Sequence, residues 1–176
     1  MPDLIYDLAA IPEGGHELAI TVPSATFSLE SSDVHLRDPV ALQAGIQRVG
    51  DTVAVRGTVA ATAEVPCGRC LEPAVISLEA ALEVVAVPAS EMPDGEDHAL
   101  TASETDLYYY TGEALDMGAI VWDHLVSAIP LQPLCHPDCK GLCASCGTNL
   151  NRETCACSAE EGDERFAALK QWQGRD

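Results

Sequence analysis

Eight cysteines fall in four close pairs: Cys67/Cys70, Cys135/Cys139, Cys143/Cys146 and Cys155/Cys157. A zinc ion takes four thiolates at the corners of a tetrahedron. A C-x2-C knuckle brings two of them from one tight turn, whose backbone N–H groups also ease the charge on sulfur. Four pairs therefore make two complete ligand sets. Cys143/Cys146 and Cys155/Cys157 are joined by only eight residues, Gly147–Thr154, and need no more than a turn around Gly147 and Asn149 to close on one ion. Cys67/Cys70 must find a distant partner, and Cys135/Cys139 is the pair left over. The expected metal ligands are thus Cys67, Cys70, Cys135 and Cys139 in one site and Cys143, Cys146, Cys155 and Cys157 in another, with one zinc each. A second arrangement stays open, in which Cys135, Cys139, Cys143 and Cys146 hold a single ion and strand the other four. His136 is a further possible ligand, though a surface position suits it better. Disulfides are the rival use of eight cysteines. The segment Met1–Asp7 has neither the basic nor the apolar stretch of a secretory signal, so a reducing, cytoplasmic setting is expected and thiols should stay free.

The elements that must carry these knuckles read as strands. His16–Val22 and Val34–Leu36 are extended in character. Gly50-Asp51 has the makings of a hairpin turn between Gln47–Val49 and Thr52–Val55. Along Val53–Glu64 the residues Val53, Val55, Gly57 and Val59 alternate with Thr52, Ala54, Arg56 and Thr58, the pattern of a half-buried antiparallel strand. Pro66 ends that ladder just before Cys67. Ala74–Val87, rich in β-branched residues, is the return strand, so the first knuckle sits at the tip of a hairpin. Pro88–Asp106 mixes acidic residues with Pro, Ser, Gly and Thr and reads as a mobile acidic loop. A short strand, Leu107–Tyr110, precedes a helix over about Met117–Ile129. Asp116 is its N-cap, Pro130 its stop, and Val121, Trp122, Leu125, Val126 and Ile129 its apolar face. A last helix is expected over about Asp163–Gln173, with Phe166, Leu169 and Trp172 on one side. The fold class is α+β: an antiparallel β-rich body with one long helix, a zinc-knuckle tail and a short C-terminal helix. The expected division is a body at 1–134, a cysteine region at 135–157 and an acidic helix at 158–176.

The chain of 176 residues carries 28 acidic against 9 basic side chains, a formal net charge of −19. Two tetrathiolate zinc sites would add about −4 more. Such a chain repels a phosphate backbone unless its few cations gather on one face, and it draws in basic partners from a distance. Arg69, Lys140 and Arg152 lie inside or beside the knuckles. They are placed to offset thiolate charge or to contact RNA. No stretch reaches the roughly 18 apolar residues of a membrane helix, so no membrane role is expected.

Several chemistries are missing a necessary part. Pro66-Cys67-x2-Cys70 is half of a zinc deaminase signature, but His35 is followed at the third position by Arg37 and not by the Glu that shuttles protons. His16-Glu17-Leu18 misplaces the Glu. No phosphate loop and no H-E-x-x-H occurs. Glu72-Pro73 after the first knuckle is a poor start for the helix that a thioredoxin-type C-x2-C opens. His124 reads as a helix-face or core residue. All-cysteine centres leave no open position for a substrate. No catalytic residues, no small-molecule substrate and no enzymatic activity are expected.

The run from Pro130 through Cys135-His136-Pro137-Asp138-Cys139-Lys140-Gly141-Leu142-Cys143-Ala144-Ser145-Cys146-Gly147-Thr148-Asn149-Leu150-Asn151 to Cys155-Ala156-Cys157 resembles the YceD family, the large ribosomal RNA subunit accumulation proteins. Cys67-Gly68-Arg69-Cys70-Leu71-Glu72-Pro73 matches that family's other hallmark, a C-x-R-C-L segment after a strand. The resemblance spans about Val53–Cys157, and the alanine-rich composition fits an actinobacterial member. It implies a non-enzymatic role in large-subunit biogenesis, through accumulation or processing of 23S ribosomal RNA. The family's gene commonly neighbours that of a small basic large-subunit ribosomal protein. Combined with the charge, this favours a basic ribosomal protein as partner, held by the acidic loop Pro88–Asp106 and the patch Glu160–Glu164. The alternatives are direct binding of precursor 23S RNA through Arg69, Lys140 and Arg152, or a zinc or redox sensor.

Overall fold

The computed structural model describes residues 4–12, 14–27, 33–92 and 107–157. Most of the expected acidic loop, the patch Glu160–Glu164 and the expected C-terminal helix lie outside the described residues.

Two long strands form the spine. Strand β5 (Thr52–Pro66) pairs antiparallel with β6 (Pro73–Pro88) from Val53↔Ala86 to Pro66↔Pro73. On the other side of β5 lies β4 (Val40–Val49), which pairs in turn with β2 (His16–Val22). The two-residue turn Gly50-Asp51 joins β4 to β5, with a positive φ at Gly50 as a type II′ hairpin requires. Tyr110 donates its hydroxyl to the carbonyl of Asp51 at 2.6 Å and pins that turn. The short strand β3 (His35–Leu36) runs ahead of β4 along the same edge of β5. From Leu36↔Ala63 to Ala41↔Ala60 the chain spends five steps on one side against three on the other. The extra residues, around Asp38-Pro39, bulge out of the ladder because proline has no N–H to give it.

The body is mainly antiparallel, as expected, but its far edge departs from that sense. Strand β7 (Leu107–Tyr110) runs parallel to β6, with Val85↔Leu107 through Pro88↔Tyr110. A separate two-stranded ribbon joins β1 (Ile5–Asp7) to β8 (Ala114–Asp116). The sheet order is β2-β4-β5-β6-β7.

One face of the sheet is buried and one is wet, as alternation dictates. Val53, Val55, Val59, Ala61, Ala63 and Val65 of β5 point inward, with Leu78, Leu82 and Val84 of β6 and Leu42, Ala44 and Ile46 of β4. Helix α1 (Met117–Ser127) lies over β5 and β6 on this side. Asp116 caps it, accepting from the N–H groups of Gly118 at 2.8 Å and Ala119 at 3.2 Å. The helix ends earlier than expected, with Ala128 as its C-cap. Its buried face also differs: Met117, Ile120, Val121 and Leu125 are inside, whereas Val126 is 39% exposed. Trp122 is stacked on Phe27 at 6.4 Å between ring centroids.

Candidate metal centres

The two-residue period of β5 delivers the first knuckle. Ala61, Ala63 and Val65 face inward in turn, and the next inward position is Cys67, which is fully buried. The hairpin tip then folds over on itself. The Cys67 N–H donates to the Glu72 carbonyl at 2.8 Å, and the Leu71 N–H to the Cys67 carbonyl at 3.0 Å. Leu71 sits at a φ of 61°, the left-handed region. This turn aims Cys70 back at the interior beside Cys67.

The opposing half arrives after α1. Pro133 accepts from the Gly68 N–H at 2.7 Å, and the Leu142 N–H donates to the Arg69 carbonyl at 3.1 Å. Cys135 and Cys139 are thereby set across from the knuckle. Cys67 Sγ lies 3.8 Å from Cys139 Sγ, and Cys70 Sγ 3.6 Å from Cys135 Sγ. The edge of a tetrahedron with zinc–sulfur bonds of normal length is about 3.8 Å. A disulfide would need about 2 Å, and all eight cysteines are free thiols. Cys143, Cys146, Cys155 and Cys157 form a second cluster. In each set the four sulfurs lie within 4.8 Å of one another. These are the same quartets that the spacing suggested, and the alternative quartet of Cys135, Cys139, Cys143 and Cys146 does not assemble.

Proton affinity within each set splits in two. At Cys67 burial opposes the thiolate, but N–H groups of Arg69 and Cys70 outweigh it and bring the pKa down to about 6. At Cys139 burial is likewise outweighed, by the Asn151 amide and the Gly141 N–H, and the pKa falls. Burial and the sulfur of Cys70 push Cys135 up to about 12. Cys70 also rises: the Glu72 N–H favours its thiolate, yet burial and the neighbouring sulfurs prevail. In the second set the Thr148 hydroxyl and N–H lower Cys146 to about 6, and the N–H groups of Cys146 and Ser145 lower Cys143. Cys157 is raised to about 12 by Cys146 and Cys143. At Cys155 the Cys157 N–H favours the thiolate, but the sulfur of Cys143, burial and the sulfur of Cys146 overcome it, and the pKa rises. Each set thus holds two thiolates easily and resists two more, for want of positive charge. A divalent ion would supply that charge, so the residues present fit a tetrathiolate metal centre.

Two of the three cations near the knuckles have inward duties. Arg69 donates Nη1 to the Cys139 carbonyl at 2.8 Å, and Arg152 pairs with Glu72 at 2.9 Å. The Lys140 side chain is exposed. His136 joins neither cluster; its carbonyl accepts from the Cys139 N–H at 3.1 Å. His124 binds the Ile120 carbonyl through Nδ1 at 2.8 Å, a helix-face role. Sequence reasoning missed Glu72 and Asn151. Asn151 donates Nδ2 to Cys139 Sγ at 3.3 Å while its Oδ1 accepts from the Lys140 N–H at 2.8 Å. The only hint was a polar residue a few positions beyond each knuckle.

Fold and site together define a one-layer β-sheet protein backed by a helix, with two all-cysteine centres at one end of its longest hairpin. The chain belongs to the YceD family: the family described as large ribosomal RNA subunit accumulation protein YceD matches residues 55–172. An uncharacterized protein of Mycobacterium tuberculosis is 32% identical over 172 residues, covering 97% of this chain and 80% of its own length. An uncharacterized protein of Mycobacterium leprae is 31% identical over 132 residues, 74% of this chain and 58% of the relative. The large ribosomal RNA subunit accumulation protein YCED homolog 1, chloroplastic, of Zea mays is 27% identical over 153 residues, 74% of this chain and 52% of the relative. No solved structure matches the chain.

Proposed function

We propose that this protein is a non-enzymatic factor that sustains 23S ribosomal RNA during assembly of the large ribosomal subunit, by holding a basic ribosomal protein. The family's description supports a role in large-subunit RNA accumulation. The observation that carries the non-enzymatic part is the makeup of the two centres. Each is a complete set of four cysteines, and a metal so enclosed keeps no position for a substrate or an activated water. Zinc suits four thiolates in a tetrahedron and undergoes no redox change, so it serves here as a staple. The ligands are Cys67, Cys70, Cys135 and Cys139 for one ion and Cys143, Cys146, Cys155 and Cys157 for the other.

The choice of a protein over RNA as the partner rests on charge. The net charge is −19, and two of the three cations at the knuckles are engaged with the protein's own carbonyl and carboxylate groups. Contacts to RNA phosphates need cations to spare. Depleting the protein should lower 23S relative to 16S RNA in growing cells, and the full chain should restore it. A chain with Glu160, Glu161, Asp163 and Glu164 changed to amides should restore it less well. An unchanged 23S to 16S ratio on depletion would refute the assembly role, and full rescue by the amide variant would remove that patch from it.

A further inference from the structure

The two cysteine sets are built to different standards. Cys67, Cys70 and Cys139 are buried and Cys135 is half-buried. In the second set Cys143 and Cys155 are half-buried, and Cys146 and Cys157 are exposed. The first set ties together segments 72 residues apart at Cys67 and Cys139. Opening it means parting the hairpin tip from residues 133–142, which are held by Gly68 N–H to Pro133, Leu142 N–H to Arg69 and Arg69 Nη1 to Cys139. The second set is local. Opening it moves only the turns of residues 143–157, where Gly147 donates to the Cys143 carbonyl at 2.9 Å and Cys143 to Thr148 at 2.8 Å.

The segment between the two halves of the second set leans on the first. Asn151 donates to the sulfur of Cys139, and Leu150 N–H to the Gly141 carbonyl at 2.9 Å. Glu72, two residues past Cys70, receives Asn149 Nδ2 at 3.4 Å and Arg152 Nη2 at 2.9 Å. Asn149 Oδ1 in turn accepts both the backbone N–H and the side-chain amide of Asn151, each at 3.0 Å, and so fixes its rotamer. A hydrogen bond to a ligand sulfur strengthens the hold on a metal, and removing such a partner typically weakens it about 10–100-fold.

We propose that Cys143, Cys146, Cys155 and Cys157 form an exchangeable metal site, and that Asn151 makes its occupancy govern how firmly the buried first site keeps its own metal. The first site is a permanent staple while the second is full. When the second empties, the segment 147–154 loses the metal that clamps both its ends, Asn151 leaves Cys139 more often, and the first site becomes open to exchange. This rests on the metal reading above. It makes the stability of the whole body answer to available zinc.

The test loads the full chain with zinc, adds an excess of a chelating dye and follows release. Wild type should release two ions per chain in two well-separated phases. Joint replacement Cys146→Ser and Cys157→Ser should abolish the fast phase and speed the slow one. Asn151→Ala should keep both ions and the fast phase, and accelerate the slow phase about 10–100-fold. Asn151→Asp retains the acceptor for Lys140 but loses the donor to sulfur, and should do the same. Amide hydrogen exchange at Leu142 and Leu150 should rise in both asparagine variants. Release of both ions in one phase, or an unchanged slow phase in both asparagine variants, would overturn the proposal. A chain that retains no zinc would instead overturn the metal reading itself.

Discussion

Leu71 and Gly147 occupy the same place, one residue past the second cysteine of a knuckle, and both have positive φ, 61° and 74°. Glycine adopts that conformation without cost, whereas a leucine there is strained by roughly 1–2 kcal/mol. Leu71 is 68% exposed, so little packing offsets the strain. Leu71→Gly should leave stability unchanged or slightly raised, and Leu71→Val should fall below it by about 1–2 kcal/mol, read from urea denaturation of the zinc-loaded protein. A valine variant as stable as the glycine one would mean the turn is not held left-handed. The thiols give a pH dependence. Cys67 and Cys146 are both lowered from 9.0 to about 6, so their thiolates stabilise the folded chain above the unfolded value, and that stabilisation is lost as pH falls through about 6. Zinc retention, followed with a dye, should therefore drop steeply below about pH 6. The cysteines were legible from spacing alone, because two turns of fixed length can meet in few ways. Glu72 and Asn151 were not, since a side chain that reaches across to another segment leaves no local pattern.

The β5–β6 hairpin is the element on which the site depends. Its inward period runs unbroken to Cys67, so a one-residue shift of register would turn that sulfur to solvent. Gly57 guards the register on the other side, because a Cβ there would collide with the backbone of Gln43 and Ala44. Gly57→Val should cost about 1–3 kcal/mol or more and lower the thermal midpoint. Loss of the helix cap in Asp116→Ala should cost about 0.5–2 kcal/mol by the same measurement, without changing the zinc content. A zinc content that fell with Asp116→Ala would show the helix end to be part of the metal site. The long strands and the helix were readable because each shows its own period over many residues. The ribbon of Ile5–Asp7 with Ala114–Asp116 was missed, since three residues carry no period. The parallel sense of β7 was hidden for another reason: strand direction is set by the path of the preceding chain, not by the strand's own residues. The helix face was shifted because Val126, apolar in type, comes out on the opposite side of the helix from the buried Met117 at about 100° per residue.

At the scale of the whole molecule, charge and closure decide what the protein can do. A net charge of −19 accompanies two all-cysteine clusters, and if the proposed basic partner is held by that charge, its binding should weaken with added salt. Among the described residues no helix is long and apolar enough to cross a membrane. The most direct test is a crosslinked pull-down of the intact protein from growing cells, with bound protein and bound RNA quantified from one sample. Enrichment of one basic large-subunit ribosomal protein that survives nuclease treatment is the predicted result. Enrichment of 23S precursor instead, lost when Arg69, Lys140 and Arg152 are replaced, would contradict it and show that local cations prevail over the acidic whole.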